Sequence, residues 1–211
     1  MGSVVAIICL VVIILTSMIL HELAHGVVAY ALGDDTAKQE GRLTLNPFKH
    51  LDPFLSLVLP LFLLISGGPI FGGAKPVPVN SRNLKWGVWG MALVAIAGPL
   101  TNFLLAFVAF LLGFWTGGLA DTGVVGYCFS EFVLINLGFG IFNLIPIPPL
   151  DGSRVLYAIA PDAVRNIMDQ MEGMGILIVM LIVVFVPSVI SMVIGGGVTG
   201  ILEFFYWIVG A

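Results

Sequence analysis

From Ser3 to Leu20 the chain carries no charged residue, and this run leads directly into His21. A stretch of that length spans the roughly 30 Å hydrocarbon core of a bilayer at about 1.5 Å per helical residue. In lipid the backbone polar groups must be satisfied within the segment, as a helix does. Further apolar runs cover Gly87–Trp115, Cys128–Ile147 and Met174–Ile194. The composition agrees: 59% of residues are hydrophobic and 9% charged, against about 25% charged in soluble domains. The expected fold class is an all-α polytopic membrane protein with about four to six transmembrane or re-entrant segments. Gly41–Leu45 is expected as a short membrane-associated β-strand. The last apolar run, Val198–Val209, is short for a span and reads as an interfacial, re-entrant or tilted segment.

No basic stretch precedes the first run and no small-residue cleavage site follows it, so it reads as a mature membrane helix rather than a signal peptide. The formal net charge of −4, with no basic patch, excludes nucleic acid as a partner. Cys9 and Cys128 lie in apolar segments and read first as small buried hydrophobes, with a disulfide or metal role as the alternative.

Lysine and arginine accumulate on the cytoplasmic side of membrane proteins. Lys38, Arg42 and Lys49 precede the apolar segment Phe54–Phe71, and Lys75, Arg82 and Lys85 follow it. A full crossing would put one group outside, whereas a re-entrant hairpin keeps both inside. Pro60 and Gly67-Gly68-Pro69 suit a broken, turning segment, and such backbone is tolerated at membrane depth where protein or a water-filled cavity surrounds it. The hairpin reading places the N-terminus outside. It brings His21, His25 and Asp151 to one depth near the cytoplasmic face.

His21-Glu22-Leu23-Ala24-His25 has the H-E-x-x-H pattern. Residues four apart share a helix face, so two imidazoles can grip one zinc ion. Glu22 lies about 100° further round, where it reaches a water at the metal without ligating. The chain has three histidines and two stand in this motif. Ionisable groups inside a spanning segment are costly and mark function by default. A catalytic zinc needs a third protein ligand and an open fourth position. His50 and Asp151 are the candidates, Asp151 because Pro148 and Pro149 break the helix before it and Gly152 permits an unusual backbone angle beside it. The competing readings are a polar cluster capping a helix end and an ion site in a transporter.

The combination resembles the site-2 proteases, intramembrane zinc metalloproteases, in their compact prokaryotic branch. The resemblance rests on His21 to Gly26, Gly98-Pro99-Leu100-Thr101-Asn102, and Asn143-Leu144-Ile145-Pro146 through Leu150-Asp151-Gly152. Asn46 to Pro53 and Ala74 to Asn80 add to it. It implies one intramembrane metalloprotease domain over residues 1–211, with core motifs in 15–160 and C-terminal helices in 174–211. It further implies one Zn2+ per chain held by His21, His25 and Asp151, with Glu22 as catalytic acid and base. Asn102 and Asn143 match family asparagines that would bind substrate or stabilise the oxyanion, and His50 would line the entry or fix the hairpin. The implied partners are the lipid bilayer and single-span or signal-peptide-like substrates, in a prokaryotic cell membrane. No room exists for a PDZ insertion between the second and third spans.

Overall fold

The computed structural model describes residues 3–53, 58, 65 and 73–211. The hairpin expected over Phe54–Phe71 lies outside the described residues, positions 58 and 65 apart. The helices are α1 (Ser3–Ala31), α2 (Thr36–Gln39), α3 (Val88–Trp115), α4 (Val124–Asn143), α5 (Asp151–Ile159), α6 (Asp162–Glu172), α7 (Gly175–Phe185) and α8 (Pro187–Val209). Of these, α1, α3, α4 and α8 are each long and apolar enough to cross a bilayer.

Helix α3 is the central element and packs against α1, α4 and α5. Away from the polar segments it meets α4 and α8 through Ala106, Phe110, Val133, Leu137 and Phe205. Lipid tails are as apolar as these side chains, so close packing rather than the hydrophobic effect holds the helices together. Gly140 of α4 permits it, since a Cβ there would lie 2.6 Å from the Phe103 ring.

The chain leaves α1 and enters α3 at the same end of the bundle, where the Lys85 N–H donates to the Leu32 carbonyl at 2.9 Å. Ala29, Leu32, Leu84 and Val94 pack beneath that junction. Residues 73–80 run extended across this end. The Arg42 Nη2 donates to the carbonyls of Lys75 and Pro76, at 2.8 and 3.2 Å. The Lys75 N–H donates to the His50 carbonyl at 2.8 Å, and the Asn80 N–H to Asp34 Oδ2 at 2.7 Å.

Two expectations are corrected. No strand forms among the described residues, and Gly41–Leu45 is a turn. Gly41 takes φ +63 and the Arg42 N–H donates back to the Ala37 carbonyl at 2.8 Å, which curls the chain instead of extending it. The last two apolar runs also divide elsewhere. Proline lacks an N–H and disfavours the helical conformation in the residue before it, so the break falls at Val186 (φ −131, ψ 45) ahead of Pro187. Helix α7 is therefore only 11 residues long, about half the hydrocarbon core. Val198–Val209 is the second half of a 23-residue helix that can cross.

Candidate active site

The C-terminal half of α1 carries Ser17, His21 and His25 at successive four-residue steps, on the face turned to α3 and α4. Both histidines are buried. Their Nε2 atoms stand 3.0 Å apart, with the rings edge to face. Asp151 reaches the same point from the start of α5. Its Oδ2 lies 3.1 Å from His21 Nε2 and 3.4 Å from His25 Nε2.

The opposite ring nitrogens decide what these atoms can do. His25 Nδ1 donates to the Val94 carbonyl at 2.7 Å, an acceptor only. His21 Nδ1 meets Asn102 Oδ1 at 2.6 Å. The amide's orientation is set two links away. Asn136 Nδ2 donates to the Phe132 carbonyl and to Ser17 Oγ, both at 2.9 Å. Asn136 Oδ1 is thereby left to accept from Asn102 Nδ2 at 2.9 Å, and Asn102 Oδ1 to accept from His21. Both Nδ1 atoms are donors, so each neutral ring turns an Nε2 lone pair inward. With both rings neutral, two nitrogen lone pairs and a carboxylate oxygen converge on one point, and Asp151 Oδ2 is buried without a hydrogen-bond partner. Such a set repels itself unless a cation sits among its members. Two imidazoles and one carboxylate, with the far ring nitrogens tied to acceptors, are a donor set that suits zinc.

Space for that set comes from α3. A Cβ at Gly98 would lie 2.5 Å from His25 Nε2 and 2.6 Å from His21 Nε2, so no larger residue fits. Gly152 serves a similar end, and here the expectation of an unusual backbone angle gives way. Its place is explained by contact, since a Cβ there would lie 2.1 Å from the Leu144 carbonyl oxygen. The loop before Asp151 thereby closes tightly against α5.

Glu22 faces a cavity of about 470 Å³ that also opens on His21, His25 and Asp151. Its Oε2 accepts from the Val77 N–H at 2.8 Å. Ligand atoms of His21, Glu22 and His25 all lie within 4.8 Å of one another. The extended segment forms one wall through Ala74 and Val77; Met91, Phe139, Asn143 and Ile176 contribute to the others.

The three secondary candidates part company. Asn143 lines the cavity, with its Nδ2 donating to the Phe139 carbonyl at 3.0 Å. Asn102 is fully buried with both ends of its amide engaged behind His21, so a direct role toward substrate gives way to one behind the ring. His50 is buried outside the cavity walls, its Nε2 on the Thr44 carbonyl at 2.7 Å. It belongs to the anchorage of the extended segment rather than to the cavity. Sequence reasoning missed Ser17 and Asn136. The signal was there in Ser17, one helical turn before His21, and in Asn136, an amide inside an apolar span, where polar groups are costly. Val94 acts through its backbone and left no signal.

The fold and the donor set define a polytopic membrane protein with a site of metalloprotease type. Residues 9–187 match Peptidase family M50, and the chain belongs to that family. It is 43% identical over 182 residues to a Bacillus subtilis protein named "Putative zinc metalloprotease YwhC", an alignment covering 83% of this chain and 80% of that one. It is 33% identical over 175 residues to "Putative zinc metalloprotease Rip2" of Mycolicibacterium smegmatis, covering 81% of this chain and 64% of the relative. With "Zinc metalloprotease MJ0392" of Methanocaldococcus jannaschii it shares 28% over 151 residues, 71% of this chain and 34% of that one. No solved structure matches significantly.

Proposed function

We propose that this chain is a zinc-dependent intramembrane endopeptidase of the site-2 type, cleaving peptide bonds within or near the transmembrane helix of membrane-protein substrates. The observation that carries the reading is the convergence of His21 Nε2, His25 Nε2 and Asp151 Oδ2 within 3.4 Å, with both distal ring nitrogens tied to acceptors. The zinc named in the relatives supports it. In this reading His21, His25 and Asp151 hold one Zn2+ per chain. When bound, zinc supplies a Lewis acid that polarises the scissile carbonyl and acidifies water.

Glu22 does the proton work. The Val77 N–H holds its Oε2, which leaves Oε1 to take a proton from the attacking water and pass it to the leaving amine. Asn143 is the side-chain amide placed to donate toward the substrate backbone or the developing oxyanion. A transmembrane helix hides its carbonyls in its own hydrogen bonds, so it must unwind before cleavage. The unwound stretch lies in the cavity along residues 73–79. Substrates are single-span or signal-peptide-like segments presented from the bilayer. The site faces the cytoplasmic side of a prokaryotic cell membrane. Residues 1–211 act as one domain.

Wild type, Glu22→Gln and Asp151→Ala are compared in detergent on a panel of single-span substrates, with bound zinc measured in parallel. Cleavage by the wild type that falls by about 100- to 10,000-fold in Glu22→Gln with zinc retained, and zinc loss in Asp151→Ala, is the expected pattern. Cleavage surviving in Glu22→Gln would overturn the reading.

A further inference from the structure

At the opposite end of the bundle two sulfurs meet. Cys9 lies on α1 and Cys128 on α4, 119 positions apart in sequence, yet their Sγ atoms are 2.6 Å from each other. The two thiols are thus in direct contact across the pair of helices. Nothing in the proposed chemistry uses either residue. Cys9 stands 12 residues before His21, about 18 Å along the helix. Cys128 lies in the first turns of α4, next to the loop that follows α3.

The charge distribution says which chemical environment this end meets. All eight lysines and arginines fall in the segments after α1, before α3 and after α4, at the end that carries His21 and Asp151. The loop between α3 and α4 carries Asp121 and no basic residue. By the positive-inside rule the cysteine end faces out of the cytoplasm, where disulfides form and persist. Both cysteines are partly buried and stand in the first two turns of their helices.

We infer that Cys9 and Cys128 form an intramolecular disulfide that joins the outer ends of α1 and α4. The two thiols lose two protons and two electrons, one S–S bond forms, and an external disulfide is reduced to two thiols. The bond clamps the helix pair whose seam also carries the Ser17–Asn136 hydrogen bond. It therefore stiffens the support behind His21 without touching the cavity.

The test uses the full chain in membranes of the expressing cells. Proteins are acid-quenched without reductant, denatured in SDS, and treated with N-ethylmaleimide before intact-mass measurement. The expected result is no adduct until prior reduction and two adducts after it. Cys9→Ser and Cys128→Ser each give one adduct with or without reduction. Reduction should also lower the unfolding midpoint of the wild type by about 5 °C or more and leave that of Cys9→Ser unchanged. Two adducts on the unreduced wild type, even after membranes are incubated with a disulfide oxidant, would overturn the inference.

Discussion

At the scale of single residues, the site depends on which nitrogen of each imidazole bears the proton. For His25 the answer comes from one backbone carbonyl, that of Val94. For His21 it comes from a relay that starts at the Phe132 carbonyl and passes through Asn136 and Asn102. Nitrogen-15 spectra of the zinc-loaded protein should therefore show His21 and His25 protonated at Nδ1, and with only three histidines in the chain the assignment is tractable. Asn102→Leu removes the acceptor behind His21. It should weaken zinc binding by about 10- to 100-fold, the usual cost of losing such a partner. An unchanged zinc affinity together with an unchanged His21 spectrum would show the relay to be idle. The H-E-x-x-H pair stood out in the sequence as costly ionisable groups in an apolar span, whereas Asp151 was separated from His50 as the expected third ligand only by the family resemblance. The roles of Asn102 and Gly98 were not legible, because both follow from how closely α3 approaches α1, which a single sequence does not encode locally.

At the scale of elements, the extended segment 73–80 forms a wall of the cavity and orients Glu22. It is held from outside the spans. Asp34, fully buried, accepts from the Thr36 hydroxyl and N–H, from the Asn80 N–H at 2.7 Å and from Asn83 Nδ2 at 3.1 Å. Burial alone would push its carboxyl up, but these hydrogen bonds outweigh that and hold it below the ordinary carboxylate range. The sign follows from linkage: the stabilisation is complete above the unfolded value of about 4 and is lost as pH falls through the lowered native value. Asp34→Asn should cost about 2 kcal/mol at pH 7, read by thermal unfolding in detergent, and the gap to wild type should narrow below about pH 4. A gap that stays constant down to pH 3 would mean that Asp34 does not anchor the segment through its charge. The spans were readable from apolar length alone: α3 begins and ends nearly where its run does, and α1 begins with the first run but continues past it through the H-E-x-x-H motif to Ala31. The α7–α8 boundary was misplaced because the apolar run continues straight through Val186 and Pro187. The backbone restriction of proline, not hydropathy, divides it.

For the whole molecule, orientation and chemistry agree. The end of the bundle that gathers His21, His25, Asp151 and Glu22 also gathers every lysine and arginine, the pattern from which the proposed reading puts that end in the cytoplasm. A reporter domain inserted in the 116–123 loop should be active only outside the cytoplasm, and one placed in the 161–162 region only inside. The reverse pattern would contradict the assignment. The Lys85–Leu32 hydrogen bond puts the end of α1 and the start of α3 at the same end of the bundle, while the hairpin expected over Phe54–Phe71 itself lies outside the described residues. The central claim is the metal centre itself, and X-ray absorption at the zinc edge of the purified wild-type protein tests it most directly. The account predicts about one zinc per chain with two imidazole nitrogens and one carboxylate oxygen at roughly 2.0–2.2 Å. Loss of the bound zinc is expected in Asp151→Ala. A protein that takes up no zinc when the metal is supplied, or a zinc ligated by sulfur at about 2.3 Å, would contradict it.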